Sequence, residues 1–315
     1  MFKIPILFLT YNRIKCTKKS LSAILKIKPS IIYISNDGPK NNYLDKKKIE
    51  KIRNYFKKIN KKIKVKEKYN IHNLGCKKTN LSALNWFFKN EEFGIILEDD
   101  CIPTPSFFSF CKVMLKKYQK NKKIFCISGS NFQNKRTITN SYYFSKYNHC
   151  WGWATWSDRW KFNNGDISFW PKFKTSYQWN NFHENKFEKK YWNKIFDKVF
   201  LKKIDSWAYP WTLSVWKQKG ITVTPNTNLV KNIGFGKEST HSLFLKDSIR
   251  YLNNKKFKKK ITYPKKIIVD KIADNFVFKN HFKGHNYIWP YRLFFLAKIF
   301  LYNPLSFFRK LFKTY

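Results

Sequence analysis

Acid is scarce in this chain of 315 residues: 19 Asp and Glu stand against 64 Lys and Arg, a formal charge of +45. An excess of that size ordinarily points to nucleic acid or an anionic membrane. The lysines, however, are scattered along the whole chain among Asn, Ile, Phe and Tyr, as an AT-rich coding bias filling solvated positions would leave them. No zinc-finger spacing and no RNP-type aromatic motif accompanies them, so a specific nucleic-acid partner is not expected. The six cysteines, Cys16, Cys76, Cys101, Cys111, Cys126 and Cys150, form no CxxC pair and no zinc spacing. The apolar run at the N-terminus is too short for a signal peptide. No stretch reaches 18 uninterrupted apolar residues, the length a spanning helix needs. A reducing cytoplasm with free thiols is the simplest location. Hydrophobic residues make up 43% of the chain, ample for a core.

Against that background one stretch concentrates negative charge: Gly94-Ile95-Ile96-Leu97-Glu98-Asp99-Asp100-Cys101-Ile102-Pro103. Ile95 to Leu97 reads as a buried strand, and Pro103 and Pro105 forbid it from continuing. Ligands of open α/β sheets sit outside the carboxyl ends of strands, which places the three acids at the mouth of a site. Neighbouring carboxylates repel, so the cluster is costly unless a cation or a hydrogen-bond network neutralises it. A hard divalent ion, Mn2+ or Mg2+, suits oxygen ligands and usually brings phosphates with it. A solvated acidic turn is the plainer alternative.

Ile-Ile-Leu-Glu-Asp-Asp-Cys-Ile-Pro-Thr-Pro-Ser-Phe-Phe, Ile95 to Phe108, resembles the metal-binding acidic motif of GT-A glycosyltransferases. More narrowly, it is similar to that of the Golgi N-acetylglucosaminyltransferases that extend N-glycans and of their bacterial relatives. Matches recur from the first strand to about His241, roughly three quarters of the chain. The resemblance implies a Rossmann-like three-layer α/β/α sandwich with a mixed, mostly parallel sheet and a nucleotide-diphosphate sugar as donor. It also implies that the last acid of the triplet, Asp100, coordinates the metal, with Glu98 and Asp99 on the donor side.

Read in order, Ile4 to Leu9 is a first buried strand delivering Thr10-Tyr11-Asn12-Arg13 to the carboxyl edge, with a helix from about Thr17 to Lys26. Thr10, Asn12 and Arg13 are donor-site candidates, Arg13 because a guanidinium binds phosphate oxygens bidentately. A second strand, Ile31 to Ser35, runs into Asn36-Asp37-Gly38-Pro39. That is turn chemistry, while the resemblance gives Asp37 the nucleotide base or ribose. Lys46 to Lys66 reads as a basic helix with an apolar stripe at Ile49, Ile52, Phe56 and Ile59. Asn73, Gly75 and Lys78 belong to a loop entering the helix Thr79 to Lys89, where free N–H groups can hold anions. A helix from Phe110 to about Lys120 leads to a buried strand at Ile124 and a turn in which Gly129 admits close approach to a sugar.

Four tryptophans then fall in ten residues, Trp151 to Trp160. Such residues are usually core, yet by resemblance Gly152 and Trp153 line the sugar. After a helix from Phe187 to Leu201 comes Asp205-Ser206-Trp207-Ala208-Tyr209-Pro210-Trp211, which opens another helix. Relatives commonly carry Asp directly after the first Trp, where this chain has Ala208. Asp205 is then the nearest candidate for the general base an inverting transfer needs, with a helix N-cap as its alternative. Trp207 and Trp211 are expected on the acceptor side. A strand at Ile221 to Pro225 precedes Asn232-Ile233-Gly234-Phe235-Gly236, a loop able to close over the donor, and His241, a second metal or diphosphate ligand by resemblance.

The expected organisation is a transferase domain over 1–245, with a donor half to about 130 and an acceptor half beyond it, and a basic aromatic extension over 246–315. The short apolar segments around Pro304 cannot span a bilayer. They suit either a helix packed on the domain or a peripheral place on the inner face of the cytoplasmic membrane. The expected activity is metal-dependent, inverting transfer of a sugar, from a UDP-sugar first of all, to a hydroxyl of a glycan or lipid-linked acceptor, as in surface polysaccharide synthesis. A nucleotidyltransferase would need a Gly-rich loop after the first strand, and Thr10 to Lys15 holds no glycine. The rival from another class is a basic nucleic-acid- or membrane-binding protein whose transferase site is vestigial, a reading that Ala208 keeps open.

Overall fold

The computed structural model describes residues 1–60, 63–133, 140–234, 257 and 260–287, together with 293, 294, 297, 300 and 301. The chain alternates as β1 (Ile6–Thr10), α1 (Ile14–Leu25), β2 (Ile32–Asn36), α2 (Tyr43–Asn60), β3 (Val65–Tyr69), α3 (Cys76–Asn90), β4 (Phe93–Glu98), β5 (Cys101–Pro103), α4 (Pro105–Tyr118) and β6 (Ile124–Ser128). It continues through β7 (Tyr142–Ser145), β8 (Trp153–Trp156), α5 (Ser157–Trp160), α6 (Trp170–Lys174), α7 (Tyr177–Asn180), α8 (Lys186–Phe200), α9 (Ala208–Lys217), β9 (Ile221–Pro225), β10 (Val230–Asn232) and α10 (Lys271–Asn280). Strands alternating with helices at this spacing make an α/β protein.

Eight strands form one mixed sheet in the order β3-β2-β1-β4-β8-β6-β9-β7. Its first four strands are parallel, β8 runs antiparallel to both its neighbours, and β6–β9 is parallel again. The alternation of side chains along a strand explains the layers. Ile6, Phe8, Ile32, Ile34, Ile95 and Leu97 share a core with Leu21 and Ile24 of α1, Ile52 and Phe56 of α2, and Phe107 and Met114 of α4. Leu7, Tyr33 and Ile96, between them, face the other way, and there Tyr33 meets Trp86 and Phe87 of α3 at 5.0 Å between ring centroids. Helices therefore cover both faces of the sheet.

One expectation is corrected, and one strand was not anticipated. The basic helix stops at Asn60, short of Lys66, and Val65–Tyr69 is the edge strand β3. Lysine at alternate positions hid that strand, although Lys66 and Lys68 suit an exposed edge. Trp153–Trp156, fully buried, is the central strand β8, paired through Ala154 to Ile95 and Ile127. The chain also resumes extended structure after the acids: β5 pairs antiparallel with β10 in a second, two-stranded sheet. Only then does Thr104 cap α4, its side chain accepting from the Phe107 N–H, with Pro105 in the first turn.

Two compact units are present, Met1–Ser168 with Lys198–Asp270, and Phe169–Asp197 with Lys271–Tyr315. The second is aromatic throughout its described part: Trp170 and Trp179 lie 4.9 Å apart, Trp192 and Phe196 stack at 5.4 Å, and Tyr191 meets Phe278 at 5.8 Å. Among the described residues no helix is long and apolar enough to cross a membrane.

Candidate active site

The site is built where β1, β2 and β4 end together, since Leu9 lies opposite Glu98 in register and Thr10 opposite Asn36. The turn after β4 holds Asp99 and Asp100, both buried. Arg13, at the head of α1, pairs with both: its guanidinium bonds Asp99 and stands 3.0 Å from Asp100 Oδ2. The Tyr11 N–H donates to Asp99 Oδ2 at 3.3 Å, and the Ser20 hydroxyl donates to the Asp99 carbonyl at 2.8 Å. Burial works against a charged guanidinium, but Asp99 and Asp100 outweigh it and raise the Arg13 pKa. One guanidinium does not offset three carboxylates. Burial, then the charges of Asp100 and Asp99, push the Glu98 pKa up, against the pull of Arg13 and a hydrogen bond with Trp207.

Asp100 is also tied to the strand that returns late in the chain. Its carbonyl accepts from the Ile233 N–H at 2.8 Å, and its Oδ1 accepts from Asn232 Nδ2 at 3.3 Å. Gly234 is packed so closely that a Cβ there would lie 2.0 Å from Asp100 Oδ2 and 2.9 Å from Arg13 Nη1. The Asn232–Gly234 segment thus joins the acid turn through β5–β10. Phe235, Gly236 and His241 lie outside the described residues.

The remaining donor-site candidates have mostly structural partners. Asp37 is buried, and both its oxygens are engaged. Oδ1 accepts from Gly38 N, Asn70 Nδ2 and Leu74 N, and Oδ2 from Asn73 Nδ2 and Gly75 N, at 2.9 to 3.2 Å. This network folds the 73–75 loop back onto β2 and fixes Asn73 and Gly75, with Gly75 at φ +83°, where glycine is favoured. Thr10 donates to Ser35 O at 2.9 Å, and Asn12 Nδ2 donates to Asp45 Oδ1 at 2.6 Å. Asp45 was not anticipated as part of this edge. It also accepts from Tyr11 Oη and Lys40 N, both at 2.7 Å. Burial raises its pKa less than those hydrogen bonds lower it. The signal for it is local, Asn42 capping the Asp45 N–H three residues on. Lys78 is exposed in the first turn of α3.

Gly129 and Gly152 approach each other rather than open space, Gly129 N donating to Gly152 O at 2.8 Å. Trp153, Trp207 and Trp211 are all buried at 3% exposure or less, among the core side chains. Trp153 stacks on Trp207 at 5.7 Å and lies 6.0 Å from Trp211. Asp205 is exposed and stands at the N-terminus of α3, accepting from Lys77 N at 3.3 Å. It therefore caps a helix, though α3 rather than the one it precedes. Between these groups sits Cys76, which burial first, then Glu98, Asp205 and Asp37, push up to about 12.

Among the described residues no three His, Cys, Asp or Glu side chains are arranged to hold a metal by themselves. The donor chemistry still suits Mn2+ or Mg2+, which commonly bind through one or two carboxylates plus substrate phosphates. The excess carboxylate that raises Glu98 is charge such an ion offsets.

No known family model and no curated protein matches the sequence. Among solved structures the chain is similar to the mannosyltransferase PcManGT of Pyrobaculum calidifontis in complex with GDP-Man and Mn2+, at 12% identity and a TM-score of 0.35 over 50% of this chain and 45% of that one. It is similar to GalNAc-T7 with UDP, GalNAc and Mn2+ at 11% and 0.43, over 71% and 42%. The similarity to S. aureus TarS 1-349 is 13% and 0.40, over 73% and 59%. The chain spans about half the length of these proteins. Likenesses this loose assign neither family nor activity.

Proposed function

We propose that this protein is a sugar-nucleotide-dependent glycosyltransferase of the GT-A type, transferring a sugar with inversion to a hydroxyl of a glycan or lipid-linked acceptor. The observation that carries the reading is the buried acid turn at the carboxyl end of β4, bonded to Arg13 from the end of β1 and to Asn232 from β10. Asp100 is the residue to hold a divalent ion, which when bound offsets the charge gathering on a departing diphosphate. Arg13, at the head of α1, can turn its guanidinium from Asp100 to a phosphate oxygen. Asp37 contributes by holding the 73–75 loop, whose backbone and the N-terminus of α3 face the same edge. The tryptophan cluster under Glu98 excludes water from one side and fixes that carboxyl through Trp207.

The experiment is a thermal-shift panel of UDP-, GDP-, CMP- and dTDP-sugars, with and without Mn2+, on wild type and Asp100→Ala. A ligand that binds only the folded state raises Tm by mass action. A Mn2+-dependent shift with one donor, lost in Asp100→Ala, is the expected result. Stabilisation by RNA or anionic vesicles with no shift from any donor would replace the proposal with a basic binding protein.

A further inference from the structure

The second compact unit, Phe169–Asp197 with Lys271–Tyr315, carries fourteen Lys and Arg against four acids, Glu184, Glu188, Asp197 and Asp274. The acids do little for its surface. Glu188 and Asp274 are buried. Asp197 accepts from Trp170 Nε1 and Lys174 Nζ at 2.9 Å, and Glu184 pairs with Lys271. Lys172, Lys186, Lys194, Lys271, Lys279 and Lys283 are all exposed. The unit therefore presents a basic surface.

Apolar side chains share that surface. A surface helix ordinarily turns its apolar stripe to the core. α10 does so with Ala273, Val277 and Phe278, yet leaves Ile272 70% exposed in its first turn. Further along, the apolar side chains point outward. Leu293, Phe294, Ala297 and Leu301 are helical and exposed, Phe294 at 72% and Leu301 at 79%. Positions i, i+1, i+4 and i+8 share one face of a helix, and here that face meets solvent. Exposed apolar surface rimmed by polar residues marks a contact with a protein or a membrane.

Charge chooses between them. A second copy would set one basic face on another, with a formal charge of +45 on each chain. A nucleic acid would meet the lysines but offer Phe294 and Leu301 no apolar surroundings. An anionic bilayer meets both, since its headgroups attract the lysines and its acyl boundary takes the apolar side chains. We propose that the second unit docks on an anionic membrane surface, with the face of Leu293, Phe294 and Leu301 entering the interface and the exposed lysines on the headgroups. The proposal is independent of the glycosyltransferase reading.

The test is flotation of the full chain with phosphatidylcholine vesicles, with and without about 30% phosphatidylglycerol, whose negative surface potential draws basic segments. It compares wild type, Phe294→Ser/Leu301→Ser, Ile272→Ser and Lys57→Gln/Lys58→Gln, the last on the exposed face of α2 in the first unit. Wild type should float with the anionic vesicles alone. Phe294→Ser/Leu301→Ser should weaken that binding about 10-fold or more, because burying even one such side chain is worth that factor. Ile272→Ser, which leaves the 293–301 segment intact, should weaken it in the same direction. Lys57→Gln/Lys58→Gln should bind as wild type does, although each lysine facing the headgroups is worth several-fold. Binding by Phe294→Ser/Leu301→Ser and Ile272→Ser equal to that of wild type would reduce the contact to bulk charge and overturn the proposal. So would a wild-type dimer in sedimentation that Phe294→Ser/Leu301→Ser dissociates, or binding of single-stranded RNA by wild type with no flotation. None of these outcomes bears on the donor-induced thermal shift.

Discussion

At the scale of single residues, the acid turn is held by contacts so close that an added atom must displace a side chain. Gly234 illustrates this: a methyl group would collide with Asp100 Oδ2 at 2.0 Å and crowd Arg13 Nη1 at 2.9 Å. Both obstacles are the far ends of side chains, which can swing away at modest cost. Gly234→Ala is accordingly expected to lower Tm by only a few degrees while displacing the carboxylate, an effect of about 1 kcal/mol on stability. Its signature is loss of the Mn2+-dependent part of any donor-induced shift. If the Mn2+ response survives intact, Asp100 does not hold the ion from its observed position. Asp37 teaches the converse at the same scale. Its five hydrogen bonds to the chain itself give the carboxylate a structural task, whatever it does for a ligand.

At the scale of elements, α10 and the residue after it set burial against the helix dipole. His281 follows the last residue of α10, and its N–H donates to Val277 O at 2.9 Å. A cation there gains about 0.3–1 kcal/mol from the dipole. Burial, with Lys283 adding to it, wins and lowers the His281 pKa to about 4. The folded state thus favours neutral imidazole, and the unfolded chain takes up a proton first as pH falls. Stability is therefore whole above about pH 6.5 and lost between 6.5 and 4, by up to about 3 kcal/mol. Chemical denaturation of wild type and His281→Leu across that window checks it. The difference between the two should grow less favourable to wild type as pH falls. A constant difference would mean that His281 titrates as it does in water.

At the scale of the whole molecule, a charge of +45 on 315 residues must repel itself. With 19 acids for 64 Lys and Arg, pairing cannot match the cations, and surface pairs such as Lys122–Asp158 are individually weak. Raising ionic strength from about 0.01 to about 0.1 M shortens the screening length from about 30 to about 10 Å. Tm is expected to rise over that range, and a fall would show that attractive pairs outweigh the net repulsion.

The sequence by itself determined the elements with strong periodicity and punctuation. These include the apolar strands at Ile6, Ile32 and Ile95, the striped α2, the strand Ile221–Pro225 and the acid turn, because burial pattern, proline and charge are local properties of the chain. It missed β3, whose lysines mask an edge strand, and β8, whose tryptophans look the same whether they stack on a ligand or on one another. Only the tertiary structure decided that Trp153, Trp207 and Trp211 pack together, that Arg13 reaches Asp99 and Asp100, and that Asn232 and Gly234 close on Asp100 from 132 and 134 positions away. It also decided that Asp205 serves α3. Those are long-range pairings set by strand order and register, and sequence spacing holds no measure of them.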